Sequence, residues 1–177
     1  MIVWMMSRKK YTLEIFFRKI KEGYMGKKIC FAASSGGHYE QLMMLKPLME
    51  EYESFIVTEH TEYKTENKDE KTYYMQQVNR RENTFVIKMF INLMRAFCVY
   101  LKEKPDVVIC TGVLAMIPIC VIAKVMGKKL IYIESFAKVT SPTETGKLMY
   151  RIADQFYVQW ESMLQIYPKA IYLGGIY

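Results

Sequence analysis

A chain of 177 residues, 51% of them hydrophobic and 24% charged, has the length of one domain and enough apolar side chains for a sizeable core. Its formal net charge of +7 suits a membrane surface or a phosphorylated substrate; with no RNA- or DNA-reading signature, and with basic residues interleaved among apolar stretches, it does not read as a nucleic-acid binder. The four cysteines, Cys30, Cys98, Cys110 and Cys120, form no C-x-x-C pair and have no histidine at ligand spacing, which argues against a zinc site and for reduced thiols, with no metal expected.

At the N-terminus, Met1 to Met6 is apolar but too short for a signal h-region, and Arg8-Lys9-Lys10 follows it where it should precede. Tyr11 to Glu22 predicts a helix with Leu13, Phe16, Phe17 and Ile20 on one face and Arg18, Lys19, Lys21 and Glu22 on the other. Such a helix lies on a membrane or packs against a domain. We take residues 1–24 as a membrane-associating segment and 25–177 as the domain.

Lys28 to Ala33 predicts a buried strand, and Ser34-Ser35-Gly36-Gly37-His38 a turn into a helix over Tyr39 to Glu51 that Pro47 bends. Ser54 to Thr58 is a second strand. Glu59 to Asn83 is a polar excursion holding a short strand near Tyr73 to Gln77. Thr84 to Lys104 predicts a helix that is apolar over most of its circumference, with Lys88, Asn92 and Arg95 as one narrow polar stripe. The apolar excess of such a helix must face a second layer, a bilayer or a partner. The run Val107 to Ala123 approaches transmembrane length, but Thr111, Gly112 and Pro118 divide it into a strand and a helix over Leu114 to Met126. Lys129 to Ile133 is a strand ending at Glu134. Thr145 to Ala153 predicts a helix, Gln155 to Val158 a strand, Glu161 to Tyr167 a short helix and Ala170 to Leu173 a last strand. Strands alternating with helices, several apolar on both faces, mean an α/β fold with a doubly wound parallel sheet and ligands at the carboxyl ends of its strands.

Three of those ends carry chemistry. Gly36 and Gly37 let backbone N–H groups converge at a helix start, which suits a phosphate or diphosphate. Thr111-Gly112 offers a second such turn. His38 stands beside the first, where its ring can take a proton from a hydroxyl near the bound anion. Glu134 can orient that ring or serve as the base. Ser135, Lys138, Ser141, Thr143 and Thr145 offer donors to sugar or phosphate. Glu134 as a helix cap, Lys138 as a solvated charge and the hydroxyls as plain loop residues are the competing readings. A stand-alone nucleotide-binding module lacks its G-x-G-x-x-G and its acidic ribose ligand.

With Ser34-Ser35-Gly36-Gly37-His38, Lys104-Pro105-Asp106-Val107, Thr111-Gly112, Tyr132-Ile133-Glu134-Ser135-Phe136, Thr145-Gly146-Lys147-Leu148, Gln159-Trp160-Glu161 and Tyr172-Leu173-Gly174-Gly175, the chain resembles the bacterial PssD-type polysaccharide biosynthesis proteins over about residues 27–177. These are relatives of the membrane-anchoring, acceptor-side subunit of the eukaryotic two-component UDP-N-acetylglucosamine transferase. A more distant likeness is to the N-terminal domain of MurG. The resemblance implies the N-terminal, Rossmann-like half of a GT-B glycosyltransferase, peripheral at the cytoplasmic face of the plasma membrane. It implies a polyprenyl-diphosphate-linked sugar as acceptor, with Ser35, Gly36, Gly37, Thr111 and Gly112 toward the diphosphate and His38 and Glu134 as the catalytic pair. The nucleotide-sugar donor would be bound mainly by a separate PssE-type subunit, because no second Rossmann-like domain precedes Tyr177; no other cofactor is expected. The context would be capsule or exopolysaccharide assembly. The alternative is a non-catalytic membrane scaffold that recruits and activates a complete partner enzyme.

Overall fold

The computed structural model describes residues 2–60, 70–112 and 114–176, with side chains from Thr12 onward. Its strands are β1 (Ile29–Ala32), β2 (Ser54–Glu59), β3 (Thr72–Met75), β4 (Val107–Cys110), β5 (Lys129–Ile133), β6 (Gln155–Val158) and β7 (Ile171–Tyr172). Its α-helices are α1 (Ile2–Tyr24), α2 (Gly37–Met43), α3 (Lys46–Glu51), α4 (Phe85–Glu103), α5 (Ile117–Val125) and α6 (Glu144–Ile152). The strands pair in the order β3-β2-β1-β4-β5-β6-β7, all parallel. This is the doubly wound sheet expected from the alternation of elements.

Period-two alternation explains why the strands read as unbroken apolar runs. Ile29, Phe31, Ile56, Val107, Ile109, Ile131 and Ile133 face one side, where Phe16 and Ile20 of α1, Leu42 of α2 and Leu48 of α3 cover them. Cys30, Ala32, Phe55, Val57, Val108, Cys110, Leu130 and Tyr132 face the other, under Ala96 and Val99 of α4, Ile119 and Ala123 of α5 and Met149 of α6. The chain order reverses between β1 and β4, so the loops after those two strands flank the crevice where such sheets bind ligands.

Several elements differ from the sequence reading. The apolar face of α1 is spent on the sheet: Phe16 and Ile20 are fully buried, and Leu13 and Phe17 pack beside them. Residues 12–24 therefore belong to the domain, and this face is not free to lie on a membrane. The helix expected over Tyr39 to Glu51 is two helices broken at Met44-Leu45, because Pro47 has no N–H for a continuous ladder and sits instead in the first turn of α3. Leu114–Met116 is a 3-10 turn before α5, whose first turn likewise holds Pro118. Glu161–Gln165 is also a 3-10 turn. Among the described residues no helix is long and apolar enough to cross a membrane.

Helix α4 inverts its expected polarity. Asn92, in the polar stripe, is fully buried, while Val86 is 72% and Phe90 61% exposed. Asn92 turns inward because the backbone leaving β3 needs partners: its Oδ1 accepts from the Gln76 amide and its Nδ2 donates to the Gln76 carbonyl, both at 2.8 Å. The helix docks through Asn92, Ala96, Val99, Tyr100 and Glu103, and its larger apolar side chains are left outside.

At the amino edge of the sheet, acids and lysines are matched. Glu103, buried at the end of α4, accepts from Lys28 at 2.9 Å and Lys71 at 2.6 Å, and from the Tyr73 hydroxyl. Asp106 holds Lys128, and Asp154 holds Lys124 and the Leu130 amide. Burial raises the Glu103 carboxyl pKa, but hydrogen bonds from Lys71, Tyr73 and Lys28 outweigh it and bring it down to about 2. A carboxyl depressed from 4.5 on folding contributes stability above pH 4.5 that is lost as pH falls through 2. Glu103→Ala is expected to cost about 1–3 kcal/mol at pH 7, since the freed lysines can reach water. In urea unfolding, the wild type should lose stability steeply as pH falls from 4.5 to about 2, and the variant less steeply over the same range.

Candidate functional site

His38 is the second residue of α2, set at the switch point by β1. Its Nδ1 lies 2.7 Å from the Thr111 carbonyl oxygen. A carbonyl only accepts, so Nδ1 carries the proton, and in the neutral ring Nε2 is the basic nitrogen. The Thr111 hydroxyl returns a bond to the His38 carbonyl at 2.9 Å. Gly112 is needed against the ring: at φ +108°, a Cβ there would stand 3.1 Å from Cε1 and Nδ1 of His38. The loop after β4 thus fixes both the tautomer and the position of the imidazole.

The preceding turn is partly satisfied from within. Ser34 donates its amide to the Gly112 carbonyl at 2.8 Å, extending the β1–β4 ladder. Ser35 gives its amide and hydroxyl to Oε2 of Glu59, at 3.3 and 3.2 Å. Glu59, buried at the end of β2, is a site residue that the sequence reading placed in a polar excursion. Gly36, at φ +72°, and Gly37 are exposed, and among the described residues nothing accepts from their amides.

Glu134 forms a second group. It is 1% exposed at the end of β5. Oε1 accepts from the Ser135 amide at 2.9 Å and the Thr143 hydroxyl at 3.0 Å, and Oε2 accepts from the Tyr167 hydroxyl at 3.1 Å. Thr143 in turn accepts from the Gly146 amide at 2.7 Å, so it is the N-cap of α6 and Glu134 stands behind it at the positive helix end. Burial, then the negative charge of Glu134, pushes the Tyr167 phenol well above its ordinary value. The ring of His38 is held by Thr111, and the Glu134 carboxylate by Ser135, Thr143 and Tyr167. What joins the two groups is Gln159, which donates to the Glu134 carbonyl at 2.9 Å and to Gln41 of α2 at 3.1 Å.

Between β2, β4 and the start of α6 lies an open cleft of about 750 Å³, lined by Ser34, Glu59, Arg80, Arg81, Lys138 and Thr145 among others. Thr145 and Ser135 are buried, Lys138 is half-buried, and Ser141 is exposed in the loop before α6. Thr143, expected as a donor to sugar or phosphate, instead caps α6, and the bridging roles of Gln41 and Gln159 escaped the sequence reading. Thr143 carried a signal, a threonine just ahead of a helix start, whereas the glutamines carried none.

Residues 29–176 match the family described as oligosaccharide biosynthesis protein Alg14 like. The chain is 28% identical, over an alignment 183 positions long, to the UDP-N-acetylglucosamine transferase subunit ALG14 of Mus musculus, covering 84% of this chain and 82% of the mouse protein. It is 34% identical over 131 residues to the same subunit of Rattus norvegicus, covering 67% of this chain and 56% of the rat protein. Among solved structures, MurG of Acinetobacter baumannii superposes with a TM-score of 0.65 at 16% identity, over 77% of this chain and 42% of that one. UDP-N-acetylglucosamine 2-epimerase of Rickettsia bellii gives 0.67 at 13% identity, over 85% and 45%. At such identities these two show the fold alone, and the chain spans less than half of either. The fold is one Rossmann-like lobe of the GT-B kind.

The packing of Gly146 makes a test. A Cβ there would lie 1.8 Å from Oε2 of Glu134 and 2.7 Å from the Thr143 hydroxyl, so Gly146→Ala must dislodge the carboxylate. We expect a loss of about 1–3 kcal/mol, the usual range for overpacking. Combined with Glu134→Ala, the Gly146→Ala cost measured by urea unfolding should shrink. A fully additive pair would mean that Glu134 is not what Gly146 makes room for.

Proposed function

Because this chain belongs to the Alg14-like family of oligosaccharide biosynthesis proteins, we propose that it is the acceptor-binding, membrane-associated subunit of a two-subunit glycosyltransferase. The acceptor is a sugar on a polyprenyl diphosphate. The relatives are named as subunits of a UDP-N-acetylglucosamine transferase, which supports N-acetylglucosamine as the sugar transferred and a separate, PssE-type subunit as the holder of the nucleotide sugar. The setting is the cytoplasmic face of the plasma membrane, in capsule or exopolysaccharide assembly.

The observation that carries this reading is the His38 ring, fixed through Nδ1 beside two glycine turns at the switch point. With Nδ1 committed to Thr111, Nε2 takes the proton of the acceptor hydroxyl as its oxygen attacks the anomeric carbon of the donor. The nucleoside diphosphate leaves from the opposite face, with inversion. The imidazolium so formed keeps its Nδ1–H on the Thr111 carbonyl, whose dipole stabilises the new charge. The open amides of Gly36 and Gly37 serve the acceptor diphosphate, with Thr111 and Gly112 walling the other side. Glu134 acts at one remove, holding Ser135 and the start of α6 in place below Lys138 and Thr145.

The exposed side chains Val86, Ile87, Phe90, Met94, Phe97 and Leu101 of α4 support membrane association. Lys88, Arg95 and Lys102 on the same helix favour anionic lipid.

Sugar transfer to a lipid-linked acceptor should require both this chain and its donor-binding partner. His38→Ala should lower turnover by roughly 10²–10⁴-fold, the usual worth of a positioned base, while the partner still co-purifies. Near wild-type turnover in that variant would leave the chain a scaffold.

Flotation on phosphatidylglycerol vesicles should weaken with salt and fall in Ile87→Asp/Phe90→Asp, whose side chains are already in solvent. Equal flotation of the double variant would move the membrane contact off α4.

A further inference from the structure

The amino edge of the sheet neutralises its charges, but the carboxyl edge does not. Arg80, Arg81 and Lys138 line the cleft above β2, β4 and the start of α6, and among the described residues none of the three has an ion pair at contact distance. The acids on the same walls are engaged: Glu82 by Lys88, Glu144 by Lys147 at 2.6 Å, and Glu59 by the Ser35 amide and hydroxyl. The lining sets Arg80, Arg81 and Lys138 against Glu59, Glu82 and Glu144, and the balance turns positive only through Lys88 and Lys147, which pair with two of those acids from outside the cleft.

Its arginine wall is built rather than merely exposed. Asn92, fully buried in α4, holds the Gln76 backbone through two bonds of 2.8 Å. Asn79 then accepts from the Arg81 amide at 3.0 Å, and the Glu82 amide donates to the Asn79 carbonyl at 3.2 Å. The turn closes directly onto α4, where Val86, Ile87 and Phe90 begin the exposed apolar face. Cations without contact ion pairs opposite the Thr143 and Thr145 hydroxyls, on a turn that runs into the exposed apolar face of α4, fit a phosphorylated head with a long apolar chain.

We propose that Arg80 and Arg81, facing Lys138 and Thr145, form a phosphate-binding site for the head of the lipid-linked acceptor, beyond the glycine turn. The inference rests on the acceptor-subunit reading and extends its site toward the membrane. Arg80 feels the charge of Glu144 across the cleft but makes no contact ion pair with it among the described residues; guanidinium groups so placed offer forked donors to phosphate oxygens, and Lys138 adds a point charge from the other side. An acceptor entering along α4 meets these cations before its sugar reaches His38.

The test is calorimetric titration of the full-length chain with inorganic pyrophosphate and with farnesyl diphosphate. Among the described residues Arg80→Ala/Arg81→Ala removes no side-chain hydrogen bond or contact ion pair, and it should weaken both ligands by about tenfold or more, with partial rescue by Arg80→Lys/Arg81→Lys. In the complex, the same alanine variant should raise KM for the lipid-linked acceptor with little change in kcat, whereas His38→Ala lowers kcat. If the double alanine variant binds both ligands like wild type and only Gly37→Ala weakens them, the phosphates sit on the glycine turn; this inference is overturned and the acceptor reading stands. If the variant loses flotation on phosphatidylglycerol vesicles but keeps farnesyl diphosphate affinity and KM, the arginines serve the bilayer, and the inference is likewise overturned. Failure of the wild type to bind either diphosphate overturns both readings.

Discussion

The structure depends on the pairing of β1 with β2 on one side and β4 on the other. That pairing puts a four-residue strand at the centre of the sheet, buried on both faces, with its carboxyl end opening between two connections that leave in opposite directions. The ladder continues past the strands, through the Ala33 amide to the Val57 carbonyl, the Thr111 amide to the Ala32 carbonyl and the Ser34 amide to the Gly112 carbonyl. Each added bond brings the two turns closer, until the Thr111 carbonyl meets the imidazole of His38. The orientation of the ring is therefore a consequence of sheet register: a slip of one residue between β1 and β4 would remove the partner of Nδ1.

Charge is distributed along the strand direction. At the amino ends, acids and lysines from different connections close on one another, with Glu103 drawing Lys28 and Lys71 together beneath β1 and β3. At the carboxyl ends, among the described residues, the Gly36 and Gly37 amides have no acceptor and Arg80, Arg81 and Lys138 have no contact ion pair. A parallel sheet favours this division, because the helix that follows each strand begins at the carboxyl edge with its unpaired N–H groups and positive end. The helices here deepen it. Glu134 and Thr143 satisfy the start of α6 from inside the fold, whereas at the start of α2 two glycine amides have no acceptor among the described residues.

Glu134 illustrates how residue type and residue role separate. Placed after a strand, near a histidine in topology, a carboxylate suggests acid–base chemistry. Its burial, four hydrogen bonds and contact with Gly146 make it a keystone of the loop that carries Ser135, Lys138 and Thr145. Glu59 had no such signal, lying 24 residues from Ser35 in the chain, yet it accepts both the amide and the hydroxyl of Ser35 in that turn. Bonds across such separations are set by strand order and register, and periodicity within one segment does not encode them.

The sequence by itself determined the fold class, the strands and the placing of Gly36, Gly37, His38, Thr111, Gly112 and Glu134 at strand ends. Those features are local: strands covered on both faces must be apolar at every position, and glycine marks the turns that leave them. Only the tertiary structure decided where amphipathic faces go and which polar groups meet. The apolar side of α1 and the inward turn of Asn92 depended on which surface lay opposite, since an apolar stripe states that it needs a cover and not which one. The same holds for the arginines of the β3–α4 turn. Their sequence reads as solvated charge, and they become a wall of a cleft because the parallel sheet brings the loops after β2, β4 and β5 to the same edge.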